Sequence, residues 1–104
     1  MVVKSHGGRQ PFDRVKVIEG VRAAAKGRPV TAAQIDALAD SVEEAARLEG
    51  PDVTSTRVGV LVLEGLRAID EVTYLRFASV YKNFDAAADF HREIELLGKA
   101  AAEA

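Results

Sequence analysis

Four cationic side chains cluster around the start of one predicted helix, and their chemistry is suited to binding a phosphate group. Lys4 and Arg9 flank a glycine-containing turn, and Arg14 and Lys16 fall in the first helical turn, with Asp13 as the only acid nearby in sequence. The first turn of a helix leaves N–H groups unpaired, and its dipole disfavours cations. A bound phosphate would use those donors and neutralise the cluster. The competing interpretation is that these side chains point into water and repel one another weakly.

The charge of the whole chain is divided in the same way. Residues 1–28 hold seven of the 14 Lys and Arg residues against two acids, a net charge of +5, whereas residues 29–104 carry −7. This pattern is typical of a local polyanion site on an acidic protein. The net charge of −2 argues against general nucleic-acid binding by the whole domain.

Composition excludes several classes of protein. The 104 residues, 48% hydrophobic and 29% charged, indicate one globular domain. The absence of cysteine excludes disulfides and Cys-based zinc or redox sites. No apolar run approaches the roughly 20 residues of a membrane span, and no signal-peptide pattern is present, so we expect a cytoplasmic protein without a membrane partner. No catalytic triad pattern, P-loop or GxGxxG motif is present, so an enzyme is not predicted.

The elements that must position the cations are two short strands and then five helices. Gly7 and Gly8 supply the positive φ of a tight turn between the strands, and residues 52–53 could add a third strand. The sequence therefore predicts an α+β, mainly α fold: a small helical bundle capped by a short two- or three-stranded β-sheet. The domain is expected to span residues 1–98, followed by a tail at 99–104 that frays.

Capping side chains mark the predicted helix starts, four of them inside a candidate hydrophobic staple. The caps are Asp13, Thr31 with Gln34 as a capping box, Thr54 with Ser55 as its rival, Asp70 and Asp85. Helix four has apolar residues around most of its circumference, including Val72 and Val80, so we expect it to be the most enclosed. For Gly59 and Gly65 inside helix three, close helix packing is favoured over a ligand role.

The sequence also resembles a known family. Residues 2–7, VVKSHG, and 11–16, PFDRVK, are similar to the V-x-K-R-D/N-G and E-P-F-D-x-x-K segments of the ATP-cone family. Residues 26–30, KGRPV, and above all 70–81, DEVTYLRFASVY, resemble the NrdR family of bacterial repressors of ribonucleotide-reductase genes. The similarity covers about residues 2–97.

The resemblance implies a domain that binds ATP or dATP, with ADP as a further option, and changes its oligomeric state with the nucleotide. The site residues that it implies are Val2, Lys4, Gln10, Lys16, Val17, Ser55 and Tyr81. In this comparison the two lysines hold phosphates, the two valines flank the base or ribose, and Ser55 contributes a hydroxyl. Tyr81 helps to close the pocket or its extension for a second nucleotide.

Three residues depart from the family pattern. Ser5 replaces the usual Arg and removes one phosphate cation, Gln10 replaces a Glu that contacts the ribose, and His6 stands where Asp or Asn is common. These changes leave the preference among ATP, ADP and dATP open.

The repressor family also carries a Cys-rich zinc ribbon, ahead of its cone, that reads DNA. Since this chain has no cysteine, we expect no zinc in it, contact with DNA only through such a ribbon, and a homo-oligomer. It would be an isolated regulatory domain or a stand-alone cone. Two alternatives are a helical oligomerisation module that ignores nucleotide and the regulatory cone of a ribonucleotide reductase. The run at residues 76–81, which resembles the repressors, argues against the reductase.

Overall fold

The computed structural model describes the backbone of residues 2–3, 9–10, 12–50 and 53–103, and the side chains of 12–50, 53–54 and 56–98. This part of the chain is mainly helical, as predicted. In chain order the elements are β1 Val2–Val3, β2 Arg9–Gln10, α1 Arg14–Ala24, α2 Ala32–Leu48, β3 Val53–Thr54, α3 Ser55–Ile69, α4 Glu71–Tyr81 and α5 Ala87–Glu103.

The three two-residue strands pair in the order β2-β1-β3. Val2 lies opposite Gln10 in the antiparallel pair and opposite Val53 in the parallel pair. The predicted turn glycines, Gly7 and Gly8, lie outside the described residues. The role of these strands as a cap over the bundle therefore stays a prediction.

Three of the predicted caps are confirmed. The Asp13 carboxylate accepts hydrogen bonds from N–H groups in the first turn of α1. Thr31 and Gln34 form the reciprocal capping box of α2. Asp70 accepts the N–H of Thr73 at 2.9 Å and so starts α4 directly after α3. Each cap satisfies helix donors that have no partner inside the helix.

The caps predicted for the third and fifth helices have different outcomes. The Thr54 hydroxyl accepts the N–H of Arg57 at 3.0 Å, so Thr54 caps α3 and its rival Ser55 is the first helical residue. The structure differs from the prediction at α5. The predicted cap was the side chain of Asp85. Instead, the carboxylate of Asp89 accepts the backbone N–H groups of Asp85 and Ala86.

The core forms where α1 to α4 meet, with Leu97 joining it from α5. One face of α2 carries an apolar stripe that is buried at every position: Ile35, Leu38, Ala39, Val42 and Ala46. Among the described side chains, Leu66 of α3 is the largest that is fully buried. No helix in the described ranges is long and apolar enough to cross a membrane.

Both glycines of α3 lie at close contacts between helices, which confirms the packing interpretation. A Cβ at Gly65 would lie 2.1 Å from Leu38 Cδ1, so α2 approaches α3 more closely than alanine would permit. Gly59 is covered in the same way by the ring of Tyr81.

The expectation that α4 is the most enclosed helix is wrong, because one side of this helix is exposed. Its residues Thr73, Tyr74 and Ala78 are buried, but Val72 and Val80 are exposed. Beside Val80, α1 presents Gly20 and alanines that are too small to cover a neighbouring side chain. At the carboxyl end, α5 continues to Glu103 through residues that were expected to fray, and the domain boundary at residue 98 stays a prediction.

Candidate functional site

Arg14 does not contribute a free cation at the start of α1. Its Nη1 atom donates a 2.6 Å hydrogen bond to Asp40 Oδ1 and lies 3.8 Å from Glu43 Oε1. Both acids belong to α2, which packs beside α1. Asp13 is the only acid near this cluster in sequence, but packing places two further acids beside Arg14.

Lys16 differs from Arg14 in its exposure and in its ion pairing. Its side chain is exposed, and no acid in the described part of the chain forms an ion pair with it. However, the backbone N–H groups of Val15 and Lys16 already donate to Asp13, at 3.0 and 3.2 Å. A phosphate near this end of α1 would therefore be held by the Lys16 ammonium more than by the helix terminus.

The direction of α4 relative to α1 follows from two contacts. A Cβ at Gly20 would lie 3.5 Å from Phe77 Cε2, and Arg76 Nη1 donates to the Ala24 carbonyl at 3.3 Å. Moving back along α4 thus means moving forward along α1, so the two helices are antiparallel. The carboxyl end of α4 therefore lies near the amino end of α1.

Tyr81 connects this end of α4 to the start of α3. Its hydroxyl donates to the backbone carbonyl of Thr56 at 2.5 Å, and its ring covers Gly59 one turn further along. The ring also stacks on Phe77, with centroids 6.0 Å apart and an interplanar angle of 20°. Tyr81 thus holds the first turn of α3, which begins at Ser55.

The described positions of the predicted site residues converge on one end of the bundle. Lys16 is one turn before Gly20 and Tyr81 one turn after Phe77, so both lie at the end where β3 leads into Ser55. Val17 is half-buried and packs against the core. Contact of any of these residues with a nucleotide stays a prediction.

The remaining predicted site residues cannot be assigned side-chain geometry. Val2 and Gln10 contribute paired backbone in β1 and β2, and only their backbone is described. Lys4 and the two departures Ser5 and His6 lie outside the described residues. Within the described residues, no group of three or more His, Asp or Glu side chains could hold a metal ion.

Arg28, a second cation within residues 1–28, is also neutralised, by a partner that the sequence did not indicate. Arg28 donates two hydrogen bonds to Asp70, at 3.0 and 2.9 Å, which joins the α1–α2 turn to the start of α4. The Arg28 guanidinium, together with the hydroxyl and the backbone N–H of Thr73, holds the pKa of the Asp70 carboxyl well below its usual range. Because 42 residues separate the partners, no local pattern could have predicted this pair.

Sequence reasoning also missed a buried acid on α5. Glu93 is 3% exposed, accepts the Tyr74 hydroxyl at 2.9 Å and forms an ion pair with Lys82. Burial and this hydrogen bond to Glu93 raise the pKa of Tyr74. A signal was available, since Glu93 falls on the apolar stripe of α5 between Phe90 and Leu97.

Comparison with known proteins gives a consistent result. The family model of the ATP cone domain matches residues 1–87. "Transcriptional repressor NrdR" of Mycobacterium sp. (strain KMS) is 55% identical over 97 residues, which cover 92% of this chain and 63% of that protein. The protein of the same name from Salinispora arenicola (strain CNS-205) is 52% identical over 101 residues, covering 96% and 66%. The chain thus spans less than two thirds of these relatives, which are named as repressors rather than enzymes.

Proposed function

This chain belongs to the ATP-cone family, and from that premise we propose that it is the nucleotide-sensing regulatory domain of an NrdR-type transcriptional repressor in the cytoplasm. ATP or dATP would be its ligand, and its output would be a change in association with further copies. Contact with DNA would require a zinc ribbon, for which this chain has no cysteine.

The observation that carries the proposal is the different state of the described cations within residues 12–28. Arg14 and Arg28 are each neutralised by an acid from another part of the fold. Lys16 is exposed and has no acidic partner among the described side chains. An ammonium group left in this state is available for a phosphoryl group, whose charge-assisted hydrogen bonds are stronger than those to water.

The strand pairing supports a connection between such a site and the helices. β1 pairs with β3, and β3 leads directly into the first turn of α3. Val3 of β1 thus lies opposite Thr54, the residue before Ser55. A nucleotide held there would stabilise one arrangement of the strands on α3, and Tyr81 would extend that effect to α4. This is a shift in populations produced by differential binding.

Isothermal calorimetry tests the proposal with ATP, dATP and ADP in separate titrations. Lys16→Ala should weaken binding at least about tenfold, because a charge-assisted phosphate contact contributes roughly 1.5–3 kcal/mol. Arg22→Ala is the matched control, since Arg22 is an exposed cation in the last turn of the same helix and should leave the affinity unchanged.

Two results would contradict the proposal in different ways. An unchanged affinity in Lys16→Ala would remove this residue from the site. No binding heat with any of the three nucleotides would favour the alternative, an oligomerisation module that ignores nucleotide.

A further inference from the structure

Two arginines in first helical turns are both held by acids of α2. Arg14 lies in the first turn of α1, and Arg57 lies in the first turn of α3. Their acidic partners are Asp40 and Glu43 of α2 and Glu49, the residue that caps this helix. The carboxyl-terminal half of α2 therefore lies beside the starts of both helices, which is the end of the bundle proposed to bind the nucleotide.

Arg14 is held by three contacts along α2. Its Nη1 atom donates to Asp40 Oδ1 at 2.6 Å and lies 3.8 Å from Glu43 Oε1. Its Nη2 atom donates to the backbone carbonyl of Asp36 at 3.4 Å. A guanidinium binds a phosphate best through two parallel hydrogen bonds. To form them, Arg14 would first have to give up its contacts with α2.

Arg57 is held in a similar way at the start of α3. Its Nε atom donates to both carboxylate oxygens of Glu49, at 2.9 Å each. Exposed ion pairs are usually weak, but defined geometry of this kind is where they contribute. Glu49 thus compensates the charge of an arginine that lies only two residues after Ser55, a predicted site residue.

The backbone donors at the two helix starts are occupied as well. The Asp13 carboxylate accepts the N–H groups of Val15 and Lys16, and the Thr54 hydroxyl accepts the N–H of Arg57. Among the described side chains of these two first turns, Lys16 is the cation without an acidic partner. A nucleotide bound here would therefore find few donors in these turns for a chain of several phosphates.

The number of charged donors that reach a phosphate chain decides how well a site distinguishes ATP from ADP. A terminal phosphate adds affinity through charge-assisted hydrogen bonds, and the arginine fork suits it best. Specificity is a difference between two affinities, so a site without a donor for the terminal phosphate binds both nucleotides about equally. The two arginines at this end are the groups that could change that balance.

We propose that Asp40, Glu43 and Glu49 set the phosphate specificity of the nucleotide site by holding Arg14 and Arg57 away from it. The three acids are positioning residues, because they contact the arginines and not the ligand. ATP and ADP should then bind the original chain with affinities within about threefold of each other. The inference rests on the proposed function for the existence of the site, and it adds which phosphate groups the site distinguishes.

Isothermal calorimetry tests the proposal through the ratio of the ATP and ADP affinities. Asp40→Asn and Glu43→Gln together remove the carboxylates that hold Arg14, so its guanidinium can turn towards the terminal phosphate. The ratio should then rise at least about fivefold in favour of ATP, because the released group forms a charge-assisted contact. Glu49→Gln should shift the ratio in the same direction by releasing Arg57.

Two further variants separate release of an arginine from other effects. Glu44→Gln is the matched control, since Glu44 is an exposed acid of α2 that pairs with Arg47, and its loss should leave the ratio unchanged. Arg14→Ala, added to Asp40→Asn and Glu43→Gln, should cancel the gain of the double variant. A merely structural effect on α2 would persist in the triple variant. Circular dichroism should show the same helix content in all of these chains.

Several results would overturn the proposal while leaving the proposed function intact, because nucleotide would still bind. One is an original chain that prefers ATP over ADP by more than about threefold. Another is an unchanged ratio in both Asp40→Asn/Glu43→Gln and Glu49→Gln. A third is an equal shift in Glu44→Gln, since the loss of negative charge alone would then be the cause. No binding heat with either nucleotide in any of the chains would instead contradict the proposed function, and this specificity with it.

Discussion

The ring of Tyr81 lies against the backbone of Gly59, so closely that a Cβ added there would come within 2.0 Å of Tyr81 Cζ. Only glycine permits this approach. Together with the hydrogen bond from Tyr81 to the Thr56 carbonyl, it fixes the end of α4 on the beginning of α3. α4 is thereby joined to α3, the helix that follows β3.

Gly59→Ala should therefore destabilise the fold, although alanine favours helix. The new methyl group must displace the Tyr81 ring, and overpacking of this kind costs about 1–3 kcal/mol. Thermal or urea unfolding measures the change. Gly98→Ala is the matched control: nothing lies within 4 Å of its added Cβ, so it should gain up to about 1 kcal/mol from helix propensity. Equal effects at the two sites would contradict this account of Gly59.

Glu93→Ala should loosen α5 selectively. The substitution leaves the Tyr74 hydroxyl and the Lys82 ammonium without their shared acceptor. An unsatisfied buried donor costs about 1–3 kcal/mol. Amide hydrogen exchange should become faster along α5 while the core of α2 and α3 stays protected. Glu95→Ala, an exposed acid on the same helix, should leave the exchange pattern unchanged. Uniformly faster exchange in all helices would argue against a local attachment.

Asp70→Asn should lower stability at neutral pH and have less effect in acid. The pKa of the Asp70 carboxyl is lower in the folded state, so it stabilises the fold above its unfolded pKa of about 3.9. That contribution is lost as the pH falls below this value towards the folded pKa. Because Arg28 is partly exposed, we expect a difference on the order of 1 kcal/mol at pH 7. Unfolding curves at pH 7 and below pH 4 should show the gap closing, and a constant gap would contradict the role of the charge.

Arg14→Ala should leave the nucleotide affinity within about twofold, and it should change stability little because a surface ion pair contributes little. The reason is that its guanidinium is already bound to Asp40. Calorimetry beside Lys16→Ala makes the comparison direct, because the two residues share the first turn of α1. A large loss of affinity in Arg14→Ala would mean that the ion pair opens to receive the ligand.

The sequence predicted features that depend on neighbouring residues. The caps at Asp13, Thr31 and Asp70 and the buried stripe of α2 follow from short-range hydrogen bonding and from the period of a helix. These patterns were sufficient to predict a mainly helical chain, and the presence of glycine inside α3 indicated a close approach at Gly59 and Gly65 without naming the partner.

Features that depend on how the helices pack were not predictable in this way. Arg14 and Asp40 are 26 residues apart, and only the arrangement of α1 beside α2 makes them partners. The exposure of Val80 depends on which helix faces it and how small that helix's side chains are. For the candidate site, the sequence named residues that the fold brings to one end, but it overestimated the number of unpaired cations there.

The pairing of β1 has a consequence for how the molecule assembles. Its partner β3 is about 50 residues away along the chain, and closing so large a loop costs conformational entropy before any strand contact forms. We expect the helices to acquire their structure early and the amino-terminal strand to join them last. A newly made chain would then complete its three-stranded sheet only at the close of folding.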